Sequence, residues 1–150
     1  FLWQMDSFAE DYRDVFRLTD LFDDGHGYKP DYISMTGELD QPTDLLMDLG
    51  REIREIYEMH SDIPICRLYI VGSVAREGNG KTIHPDVDFL IRPLEDPGEE
   101  EREALYLLLT QSLQSSHMAL YEVFVGTPEV DCNNNRYDEI YRIDITDFFL

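Results

Sequence analysis

Two aspartates one residue apart, Asp86 and Asp88 in "HPDVDFLI", are the first residues whose type and spacing could do chemistry. In a strand, residues i and i+2 face the same way, so both carboxylates project together while Val87, Phe89 and Ile91 serve the opposite face. Two ionised carboxylates about 6.6 Å apart repel by about 2.5 kcal/mol at an effective dielectric of about 20. A divalent cation reverses that cost. Magnesium, a hard ion that takes oxygen ligands and usually keeps substrate phosphates in its shell, is the natural occupant. Taken alone, the pair reads more readily as a hydrated strand end.

Upstream, "LYIVGSVARE" breaks an apolar run at Gly72 and Ser73. Glycine lets backbone N–H groups approach an anion, the serine hydroxyl adds a donor, and "SVARE" can open a short helix whose start favours phosphate. A phosphate cradle would then precede a metal pair. Arg76 could add a fixed positive charge beside it, or could simply be solvated. Lys81 and His84, in the loop between the two motifs, are weaker candidates for phosphate or base contact. Tyr69 and Tyr121 read as packing residues rather than base-stacking platforms.

The elements that must hold these residues can be read from periodicity. "DSFAEDYRDVFRL" has the S-x-x-E form of a capping box at Ser7 and Glu10, and predicts a helix over 7–18. A Gly-, Pro- and Asp-rich arm follows, with Phe22, Tyr28 and Tyr32 as anchors. Leu45, Leu46, Leu49, Ile53 and Ile56 form the stripe of a second helix, with Pro42 suited to its first position. "CRLYIV" and "DVDFLI" read as strands. Asp96, Pro97 and three glutamates open a third helix, carried on by Ala104, Leu105, Leu108, Leu109 and Leu113. "ALYEVFV" and "IYRIDITDFF" read as two further strands joined by a turn-rich loop. The order predicts an α/β (α+β) fold, a small mixed sheet with helices on one side. At 150 residues a single domain over 1–150 is expected, with a helix and irregular arm over 1–41 and a core over 42–147.

Charge narrows the partners. The chain carries 32 acidic and 12 basic residues, a net of −20, and its only lysines are Lys29 and Lys81. Such a field opposes polyanions, so extended duplex nucleic acid is not an expected ligand. A high-salt source would explain the same composition without reference to partners. Cys66 and Cys132 complete no zinc spacing with the four histidines, and Cys66 is expected in the core. No run reaches the ~20 apolar residues of a membrane span, and the opening residues lack the pattern of a signal peptide, so a soluble cytoplasmic protein is expected.

With "VGSVARE", a spacer of twelve residues from Val74 to Pro85, and "DVDF", the sequence resembles the DNA polymerase β-like nucleotidyltransferase superfamily. "GSVARE" also looks like the turn of the minimal nucleotidyltransferases and the archaeal CCA-adding enzymes, apart from Glu77 where those relatives often have glycine. The motif match covers Leu68 to Ile91, and the element order extends it over about residues 42 to 147. The resemblance implies a nucleotidyltransferase fold and a third carboxylate on a later strand. It also implies two Mg²⁺ ions, with Mn²⁺ as a substitute, and a nucleoside triphosphate, ATP being the expected one. Asp144, alternating with Ile143 and Ile145, is the preferred third carboxylate, completing a catalytic and metal set with Asp86 and Asp88. Asp131 is its rival. Gly72, Ser73, Arg76 and Lys81 form the nucleotide-binding set. The acceptor would be a protein, a small molecule or a short RNA end. A binding or regulatory module of the same fold, acting without turnover through a protein partner as an antitoxin does, is the alternative, and a homo-oligomer is compatible with either.

Overall fold

The computed structural model describes residues 18–23, 41–76, 85–128 and 142–149. The expected helix over 7–18 lies outside these apart from Leu18, as do Glu77, Lys81, His84 and Asp131. The described chain begins with a one-turn helix α1 (Leu18–Leu21) and a two-stranded antiparallel ribbon of β1 (Phe22–Asp23) and β2 (Gln41–Pro42). Phe22, an expected anchor of the arm, is fully buried.

Helix α2 (Asp44–His60) is capped by Thr43, whose Oγ1 accepts the Leu46 N–H at 3.3 Å and donates to the Asp20 carbonyl at 2.7 Å. Pro42 therefore precedes the cap instead of opening the helix, since a threonine oxygen can satisfy an orphan N–H and a proline ring cannot. The buried stripe is Leu46, Leu49, Gly50, Ile53 and Tyr57, with Leu45 and Ile56 on its margins. Gly50 leaves room for the Phe149 ring, which a side chain there would strike.

Strand β3 (Ile65–Val71) runs into the short helix α3 (Gly72–Arg76). It is followed by β4 (Val87–Pro93), helix α4 (Glu99–His117), β5 (Tyr121–Val125), β6 (Ile143–Asp144) and a terminal turn of helix α5 (Thr146–Phe149). The sheet order is β5-β4-β3-β6, with β4 and β5 parallel and the other pairs antiparallel. This is a mixed α/β architecture. A parallel pair needs a long crossover, and α4 supplies it between β4 and β5.

Alternation sorts the two faces of the sheet. Leu68, Ile70, Phe89, Ile91, Val123, Val125 and Ile143 join the stripes of α2 and α4 in one core. Each fully buried side chain of this kind contributes about 1.5 to 3 kcal/mol. Asp88, Leu90, Glu122, Phe124, Tyr69, Val71 and Asp144 alternate onto the other face, where Tyr69, Val71 and Leu90 form a small apolar cluster.

Two further expectations about the fold need correction. The tail "TDFF" is helical, not the continuation of a strand: the Asp144 side chain accepts the Thr146 N–H at 2.9 Å and turns the chain, and Phe149 then docks on α2. Cys66 is half-buried, at a register irregularity between Ile65 and Arg67, and so lies outside the core. No helix among the described residues is long and apolar enough to cross a membrane.

Candidate metal centre

Val71, the last residue of β3, pairs with Asp88 of β4, which in turn pairs with Glu122 of β5. Three adjacent strands thus bring the Gly72-Ser73 turn, Asp88 and Glu122 into one row. Asp86, just before β4, projects alongside, and carboxylate oxygens of Asp86, Asp88 and Glu122 all lie within 4.8 Å of one another.

Asp88 is strongly perturbed. Its carboxyl is pushed up to about 7, first by burial and then by the charges of Asp86 and Glu122, with Arg76 pulling the other way. Both effects penalise the ionised form, and a cation among the three oxygens would remove the penalty. Asp88 Oδ1 is buried without a hydrogen-bond partner. Gly72, at φ +75°, passes directly over Asp88, and a Cβ there would overlap its Oδ2. Only glycine takes that backbone conformation and that approach at little cost. Ser73 is half-buried and Arg76 exposed at the end of α3.

These features fit a hard divalent cation. The donors are all carboxylate oxygens, Oδ1 of Asp88 has no hydrogen-bond partner, and glycine at position 72 puts no side chain against Oδ2.

Glu122 is half-buried and accepts a 2.7 Å hydrogen bond at Oε2 from the Tyr106 hydroxyl of α4. That bond, followed by burial, raises the phenol's pKa. Sequence reasoning passed over Glu122, although "YEVFV" offers an acid between apolar residues on the strand that follows the crossover helix. Asp144, preferred from the sequence, lies on β6 opposite Tyr69, with β3 between it and β4. Its Oδ1 holds the Thr146 N–H and its Oδ2 stands 3.7 Å from Arg67. The structure brings together Gly72, Ser73, Asp86 and Asp88 but not Asp144. Tyr69 and Tyr121 are buried packing residues, and the Arg142 guanidinium sits 4.6 Å from the Tyr69 ring centre.

No protein-family model matches the chain, and comparison with curated proteins and with solved structures finds no match.

Proposed function

We propose that this chain is a metal-dependent nucleotidyltransferase, passing a nucleoside monophosphate from a nucleoside triphosphate to an acceptor hydroxyl with release of pyrophosphate. The observation that carries the reading is the convergence of Asp86, Asp88 and Glu122 beneath the Gly72-Ser73 turn. Asp86, Asp88 and Glu122 would hold the metal, Mg²⁺ or in its place Mn²⁺, with two ions expected from the resemblance. When bound, the metal neutralises triphosphate charge and makes the acceptor hydroxyl a better nucleophile. The backbone at Gly72 and the Ser73 hydroxyl would bind the phosphates, and Arg76 would add positive charge at their margin. Displacement of this kind needs positioning and charge compensation more than covalent help from the protein.

The row of three strands supports an order for the reactants in this reading. With the triphosphate at the turn after β3, in-line attack brings the acceptor from the opposite side, over Glu122 on the edge strand. ATP is the expected nucleotide. Calorimetric titration with Mg²⁺ and each of the four nucleoside triphosphates, followed by a pyrophosphate-release assay, tests the proposal. Binding without release in the presence of candidate acceptors would favour a regulatory module that works through a protein partner. Absence of metal-dependent binding would rule out the enzyme.

Ser73→Ala is expected to weaken triphosphate binding by about 1 to 2 kcal/mol, because one hydrogen bond to a charged phosphate is lost. Mg²⁺ binding without nucleotide should stay close to the parent's. Equal nucleotide affinities for variant and parent would take the serine out of the site.

The acceptor is expected to be a protein side chain, a small molecule or a short, locally held RNA end. With a net charge of −20 the surface offers few phosphate contacts to a long polynucleotide. Titration with tRNA and with duplex DNA, at physiological and at molar salt, checks this. Submicromolar tRNA affinity near physiological ionic strength would overturn it, whereas no binding at any salt directs the search to protein and small-molecule acceptors.

A further inference from the structure

Among the described residues, Glu122 sits on an edge strand, with no second strand beside it to fix the carboxylate. Helix α4 takes that role. Tyr106, Thr110 and Gln114, spaced four apart along one side of α4, meet three consecutive residues of β5. The Tyr106 hydroxyl donates to Glu122 Oε2 at 2.7 Å, Thr110 Oγ1 accepts the Val123 N–H at 3.0 Å, and the Gln114 amide donates to the Tyr121 carbonyl at 3.1 Å. The backbone on both sides of Glu122 is therefore tied to the helix that presents the phenol. The Tyr106 ring is also stacked on Phe124, with centroids 5.2 Å apart and planes at 23°. Phe124 shares a sheet face with Glu122, so this contact supports the ring in addition to the hydrogen bond.

We infer that Tyr106 is a positioning residue: by holding Oε2, it presents Glu122 to Asp86 and Asp88 through one oxygen and so sets which divalent cation the centre prefers. The inference rests on the metal reading of the site. A two-oxygen grip by Glu122 would have to share Oε2 with the phenol, which already takes one of that oxygen's acceptor sites and fixes its direction. Mg²⁺ is small and octahedral and takes one oxygen per carboxylate while keeping waters, whereas Ca²⁺ has a larger, looser shell that accepts a bidentate glutamate. Holding one oxygen therefore favours the smaller ion. Partners that orient a ligand in this way commonly change metal affinity by about ten- to a hundredfold when removed.

The test is calorimetry of the whole chain with Mg²⁺ and with Ca²⁺, without nucleotide, for the parent and for Tyr106→Phe. The phenylalanine keeps the stack on Phe124, so the metal-free melting temperature should stay near the parent's. Mg²⁺ affinity is expected to fall about tenfold while Ca²⁺ affinity holds or rises, moving the preference toward Ca²⁺. A parent that binds Mg²⁺ and a variant with the same Mg²⁺ to Ca²⁺ ratio would overturn the inference and leave the metal reading standing. A parent that binds neither ion would overturn both. Phe124→Leu, which loosens the ring but keeps the hydroxyl, should retain the parent's ratio. If it shifts the ratio as far as Tyr106→Phe does, the effect belongs to packing and the inference fails.

Discussion

Asp88→Asn is expected to abolish Mg²⁺-dependent triphosphate binding while leaving the metal-free fold at least as stable as the parent at about pH 8. Asp88 supplies a carboxylate oxygen with no other partner to the cluster, and an uncharged amide oxygen is a much weaker ligand for a hard cation beside the two remaining acids. The stability claim follows from the sign of the pKa shift. Asp88 is raised to about 7 in the folded chain, above the ordinary carboxylate range of the unfolded chain. The folded state thus binds the proton more tightly. The stabilisation this supplies is fully present below the unfolded value and is lost as pH rises through about 7. Discounted for solvent screening at a half-open site, the effect is about 1 to 2 kcal/mol. Melting curves in chelator at about pH 5 and about pH 8 should show the parent losing stability relative to the variant across that window. Metal must displace the same proton, so Mg²⁺ affinity of the parent should rise over the same range. A variant that melts well below the parent at the higher pH, with Mg²⁺ affinity intact, would contradict the assignment of Asp88.

The second large effect separates Glu122 from Asp144 as the third carboxylate. Glu122→Gln should reduce Mg²⁺ and nucleotide binding to background and leave the fold in place, since it removes one of three mutually repelling charges. Asp144→Ala should do the reverse. Its carboxylate turns the chain into α5 through the Thr146 N–H and faces Arg67, so its loss costs about 1 kcal/mol of stability with metal affinity unchanged. Titration and melting of both variants decide the matter. Loss of Mg²⁺ binding in Asp144→Ala, with Glu122→Gln unaffected, would return the role to Asp144 and require β6 to approach β4 in the bound state.

Much of this protein follows from local pattern. Alternation in "DVDFLI" places Asp86 and Asp88 opposite the apolar set, and β4 keeps that division. The break at Gly72 follows from residue type, because a side chain at φ +75° above Asp88 would meet both strain and overlap. The leucine and isoleucine stripes of α2 and α4 repeat at the helical period and bury on one face of the sheet. A mixed sheet with helices on that face was legible from such periods alone.

The third member of the acidic cluster was not. Glu122 between Tyr121 and Val123 and Asp144 between Ile143 and Ile145 carry the same local signature, an acid flanked by apolar residues. Only the pairing of strands distinguishes them. β5 returns parallel beside β4 and puts Glu122 opposite Asp88, whereas β6 pairs with β3 and puts Asp144 opposite Tyr69. The same holds for Tyr106, which as a sequence letter is one more tyrosine on a helix and becomes a partner of Glu122 only when α4 lies along the edge strand. Side-chain direction depends on the dihedrals of neighbouring residues and is written locally. Strand adjacency depends on which distant segments bury their apolar faces together, and that is settled when the core of α2, α4 and the sheet closes.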